Sequence, residues 1–161
     1  CNAKADDGCE TTLRALEYAK SLIEPGGEIY LLHVIDTDFV ARLTQEGFGE
    51  PEAATERLRH KAEAQLQEIV AEFKPTNIQL ETMIVMGKPF AEILRVADDL
   101  DFSLIVLGTR GQRGGALEEL LFGSTAEKVL RATPIPVICV PPNWMAQIAT
   151  CRWTAKARPS P

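Results

Sequence analysis

No apolar run in the sequence approaches the roughly 20 residues that a membrane-spanning helix needs. The opening "CNAKADDGCE" also lacks the apolar core of a signal peptide. There is no excess of positive charge: 17 Lys and Arg stand against 23 Asp and Glu, a net charge of −6. General nucleic-acid binding requires clustered cations against phosphate, so neither nucleic acid nor membrane is expected as a partner. The four cysteines (Cys1, Cys9, Cys139 and Cys151) form no C-x-x-C pair and no metal-ligand spacing. A disulfide framework and a metal centre are therefore not expected, and the reading is a reducing, cytoplasmic setting. Only two histidines occur, and the chain shows no nucleophile elbow, no H-E-x-x-H and no Walker lysine motif. No catalytic constellation follows.

What is present is an ordinary globular composition, 45% apolar and 25% charged over 161 residues. That length suits one domain with a sizeable core. The chain divides into a domain over residues 1–142 and a tail over 143–161. The tail, "NWMAQIATCRWTAKARPSP", carries Arg152, Lys156 and Arg158, no acidic residue and no sustained apolar period. It reads as flexible, with Trp144 and Trp153 available for docking.

Helix and strand patterns alternate from Thr11 to Val140. "TTLRALEYAKSLI" sets Leu13, Leu16, Ala19 and Ile23 on one helical face, and "EPGGE" stops it. "EIYLLHVID" reads as a strand. From Pro51 to Phe73, Leu58, Ala62, Leu66, Ile69, Val70 and Phe73 step by three and four, which predicts a long amphipathic helix. "NIQLETMIVMG" predicts a strand closed by Gly87, and "PFAEILRVADDL" a helix with Pro89 early, where its missing N–H does no harm. "FSLIVLG" predicts a buried strand, "STAEKVLRAT" a helix and "IPVICV" a last strand, with Cys139 a small buried hydrophobe. Alternation of this kind implies a parallel, doubly wound α/β sheet, whose ligands sit beyond the carboxyl ends of its strands. Before Asp7, "CNAKAD" makes a poor first strand.

One stretch, "LIVLGTRGQRGGALEELLFGST", joins such a strand end to glycines and a helix start. Gly108 and Gly111 permit φ > 0 and close approach of backbone N–H groups to a phosphate. Gly123, Ser124 and Thr125 open a helix whose free N–H donors favour an anion. Spacing alone leaves a phosphate cradle and a plain turn both open. Arg110 and Arg113 flank the glycines and can pair with phosphate or with solvent. A carboxylate at Asp7 suits ribose hydroxyls, or Mg²⁺ held against phosphate, as well as the dipole of the helix it begins. His33 reads as structural and His60 as exposed.

These residues resemble the universal stress protein family from about Asp7 to Val140. "DGCETTLRALEYA" is similar to its opening "D-G-S-E" helix, with Cys9 in place of serine. "IYLLHVID", "VMGKPFAEILRVADDLDFSLIVLGTRG" and "GSTAEKVLRATPIPVICVPP" are similar to its later strands and helices. The resemblance implies a three-layer sandwich around a five-stranded parallel sheet, of the adenine nucleotide α-hydrolase-like (Rossmann-like) type. It also implies ATP with Mg²⁺, held by Asp7, Val34, Gly108, Arg110, Gly111, Gly123, Ser124 and Thr125, with the Val34 backbone at the adenine. A homodimer through the last strand, Ile135 to Val140, is implied as well, acting as a stress-response regulator with at most slow ATP hydrolysis. Eleven residues separate Gly111 from Gly123 where the family has nine. That lengthening favours the alternative, a dimeric adaptor that binds no nucleotide. The related ATP pyrophosphatases resemble S-G-G-x-D-S after the first strand, which "DDGCET" lacks.

Overall fold

Helices and strands alternate as α1 (Asp7–Leu22), β1 (Glu28–Asp36), α2 (Thr37–Gln45), α3 (Pro51–Glu72), β2 (Gln79–Gly87), α4 (Pro89–Asp99), β3 (Ile105–Gly108), α5 (Ser124–Ala132) and β4 (Val137–Val140). The computed structural model describes residues 7–47, 49–73, 77–108 and 123–140, with side chains from residue 12 onward. All expected elements from α1 onward are found, within a few residues of their expected bounds. The expected first strand lies outside the described residues.

Local chemistry accounts for the boundaries. α1 gives way to a turn in which Gly26 takes φ +92, a conformation that residues with a Cβ rarely adopt. Pro51 and Pro89 stand in the first turns of α3 and α4, where no intrahelical bond needs their N–H. α2 was not expected. Asp36 caps it, its carboxylate accepting from the N–H of Asp38 at 2.9 Å and of Phe39 at 3.4 Å. The signal was present in "DTDFVARL", an Asp cap followed by Phe39, Val40 and Leu43 on one side.

β1 pairs in parallel with β2, Glu28 opposite Gln79 through Asp36 opposite Gly87. β3 pairs in parallel with β4, Ile105 opposite Val137 through Gly108 opposite Val140. Among the described residues these four strands form two parallel sheets of two strands each, not one sheet of five. Among the described residues no hydrogen-bonded ladder joins β1 to β3, although Leu31 and Val106 pack against one cluster.

Helices cover both faces of these strands. On one face, Leu16 and Ala19 of α1 and Ile69 of α3 are buried with Ile29, Phe73 and the partly buried Leu31, Leu80 and Val106. Beside them Ile35, Val40 of α2 and Ala54 of α3 form a smaller cluster with Ile84. On the other face, Ala97 of α4 and Val129 of α5 close over Ile105, Leu107 and Val137. Along β3, Ile105 and Leu107 point to one helical layer and Val106 to the other, the period-two alternation of a strand buried on both sides. Tyr30 of β1 meets Phe102, just before β3, with ring centroids 5.0 Å apart. Burying an aliphatic or aromatic side chain stabilises by about 1.5–3 kcal/mol. These shared clusters therefore hold the two strand pairs against one another.

Candidate nucleotide site at the strand ends

Direction of travel decides what meets at the carboxyl ends of the strands. A short turn joins the end of α1 to the start of β1, so α1 runs antiparallel to β1 and its first residue, Asp7, stands on the carboxyl-end side. α5 returns in the same way. Its last turn connects through Thr133–Pro136 to β4, and the Ile105 N–H donates to the Pro136 carbonyl at the amino ends of β3 and β4. Nine helical residues rise about 13 Å and four strand residues span about 13 Å. The N-terminus of α5 therefore reaches the level where Gly108 ends β3 opposite Val140.

Gly123 is the N-cap of α5, with φ −59 and ψ 150. Any residue adopts that conformation, so the backbone angles do not require glycine here; only close approach gives glycine an advantage. The first intrahelical bond runs from the Glu127 N–H to the Gly123 carbonyl at 3.0 Å. The N–H groups of Ser124, Thr125 and Ala126 precede it and have no partner within the helix. No side chain makes a cap hydrogen bond there among the described residues. Ser124 is exposed, Thr125 half-buried and Ala126 buried, so the helix is anchored while its first residue stays accessible. Glu127 would oppose an anion, but its carboxylate accepts from Arg131 at 3.0–3.1 Å, toward the other end of the helix.

Val34 is half-buried on β1, opposite Val85 and two residues before the strand ends at Asp36. Asp36 is the polar group at that end missed in sequence, and its carboxylate is committed to capping α2. Arg110, Gly111 and Arg113 lie outside the described residues, and so does the side chain of Asp7. The site residues that are described, Val34, Gly108, Gly123, Ser124 and Thr125, all stand on the carboxyl-end side. His33 is partly buried in β1, and desolvation holds its pKa below the ordinary 6.5. Cys139 is half-buried, less than expected, and burial pushes its thiol pKa up. Among the described residues no group of three His, Cys, Asp or Glu side chains could hold a metal ion. No described helix is long and apolar enough to cross a membrane.

The model of the universal stress protein family matches residues 5–141. The chain belongs to this family. Universal stress protein YxiE of Bacillus subtilis is 32% identical over 142 residues, covering 84% of this chain and 95% of the relative. The solved structure of MJ0577, a universal stress protein of Methanocaldococcus jannaschii, superposes with a TM-score of 0.68 at 28% identity. That match covers 82% of this chain and 88% of the other. The crystal structure of the hypothetical protein PH0823 gives 0.58 at 32% identity, over 80% and 85%. As a universal stress protein, the chain is matched from residue 5 to residue 141, short of Arg152, Lys156 and Arg158.

Proposed function

We propose that this universal stress protein binds ATP with Mg²⁺ at the carboxyl ends of its strands and acts as a dimeric stress-response regulator. The observation that carries the reading is the N-terminus of α5, with Gly123 at its cap and no side-chain cap among the described residues. In a chain of net charge −6, a polyphosphate must be held by local fields rather than by overall charge. The first-turn amides of α5 offer such a field, worth about 0.3–1 kcal/mol through the helix dipole. Hydrogen bonds to a charged group add roughly 1.5–3 kcal/mol each. In this reading Ser124 and Thr125 donate to phosphate oxygens, and Gly108, Gly111 and Arg110 complete the cradle. Asp7 accepts from the ribose, and the Val34 backbone meets the adenine. Mg²⁺ would neutralise charge between phosphate oxygens, and no hydrolytic step is assigned to any residue.

In this reading a further strand before Asp7 would join β1 to β3 as one five-stranded parallel sheet. β4 pairs only with β3 among the described residues, and its remaining edge suits antiparallel pairing with a second copy across a two-fold axis. The adaptor that binds no nucleotide is the second reading, favoured by the longer spacing between Gly111 and Gly123. Mass spectrometry of the ligand released from freshly purified protein separates the two. An adenine nucleotide in near-stoichiometric amount supports the first reading. Its absence, together with no uptake from added Mg-ATP, supports the second.

A further inference from the structure

A groove of about 350 Å³ lies between α3 and β2, away from the strand ends, floored by Leu66, Val70, Ala71 and Ile84 and rimmed by Glu63, Gln67 and Thr82. Val70 is 40% exposed there. Among the described residues β2 pairs only with β1, so the groove runs along an open sheet edge. At 100° per residue, Glu52, Glu56 and Glu63 lie on the same line of α3 as Val70, and an acidic stripe leads into the groove. Glu56 and Glu63 bracket His60, and their side chains are 60% and 45% exposed. By the same count Arg59 falls within about 20° of that line, so one cation stands among the three carboxylates of the stripe.

The chain carries a complementary segment. Residues 141–161 hold Arg152, Lys156 and Arg158 with no acidic residue, although the whole chain is at −6. They also hold both tryptophans of the protein, Trp144 and Trp153. Arg152 and Arg158 stand 12 and 18 positions past Val140, a reach of about 40–60 Å when extended. A domain of this size has a radius of gyration of roughly 15 Å.

We propose that the basic C-terminal tail docks in cis on this groove, Trp153 seated on Val70, Ala71 and Ile84 and its cations against Glu63 and Glu56. The apolar floor accepts the ring, and the acidic stripe orients the segment and makes its docking salt-sensitive. This occupancy is independent of nucleotide.

Because both tryptophans lie in the tail, tryptophan fluorescence reads that segment alone. In the 161-residue chain carrying Trp144→Phe, emission from Trp153 should be blue-shifted, with iodide quenching severalfold weaker than in a free peptide of residues 141–161 bearing the same change. Val70→Arg and Glu63→Arg, each at a surface position, should restore peptide-like quenching while far-UV circular dichroism stays unchanged. Peptide-like quenching before either substitution overturns the proposal, and so does protection that survives both. Protection lost on dilution, in step with a fall in mass, assigns the groove to a second copy's tail and overturns docking in cis.

Discussion

Replacing Val129 by alanine tests whether α5 is held where the proposed site needs it. Val129 is fully buried, 0% exposed, between Ala97 of α4 and Ile105 of β3. The substitution removes two methylene equivalents, about 1.6 kcal/mol of transfer free energy. The space left behind adds up to about 1 kcal/mol more where neighbours cannot collapse. The expected loss is therefore roughly 1.5–3 kcal/mol, or about 3–12 °C in Tm for a chain of this size. Arg131, two residues on, is the internal control. Its ion pair with Glu127 joins side chains 78% and 54% exposed, so Arg131→Ala should change stability by no more than about 0.5 kcal/mol. Urea denaturation followed by circular dichroism at 222 nm, a standard helix signal, gives both values from midpoints at equal m. Equal losses for the two variants, or a loss below about 0.5 kcal/mol at Val129, would refute the packing argument.

Other outcomes follow from single contacts. Asp36→Ala removes the cap of α2 and should cost about 0.5–2 kcal/mol in the same assay, with Asp36→Asn retaining most of it. His33 has a folded pKa held below 6.5 by burial, so the unfolded chain takes up its proton first as pH falls. Stability should therefore be full above about pH 7 and decline as pH drops through 6.5 toward the lower folded value, a decline that His33→Gln should reduce. Light scattering at tens of micromolar should give the mass of a dimer, and a monomer there would count against pairing through β4.

The alternation of elements was legible because each carries its own punctuation: Pro51 and Pro89 at helix starts, Gly26 after α1, and a continuous apolar run in β3. α2 escaped because its nine residues are short for a periodicity argument and its cap, Asp36, reads equally well as the end of a strand. The pairing of β1 with β2 and of β3 with β4 depends on hydrogen bonds between residues distant in sequence, which no local pattern encodes. Gly123 taught a different lesson. Its place at a helix start was plain, but its φ of −59 is open to any residue, so its backbone angles do not require glycine. Gly108 and Ser124 could be placed because parallel topology sends strand ends and helix starts to one side, whereas Val34 came only from the resemblance to the family. The burial that lowers the His33 pKa arises from packing that periodicity does not quantify.

The central claim is that the N-terminus of α5 holds nucleotide phosphate, and calorimetric titration with Mg-ATP tests it most directly. Wild-type protein should bind at micromolar to sub-millimolar concentrations. Ser124→Ala should weaken binding by about 1–2 kcal/mol, roughly five- to thirty-fold. Gly123→Val should weaken it further by crowding the phosphate, while circular dichroism shows the fold retained. No heat of binding for the wild type at millimolar Mg-ATP, or wild-type affinity in Gly123→Val, would contradict the account and leave the adaptor reading in its place.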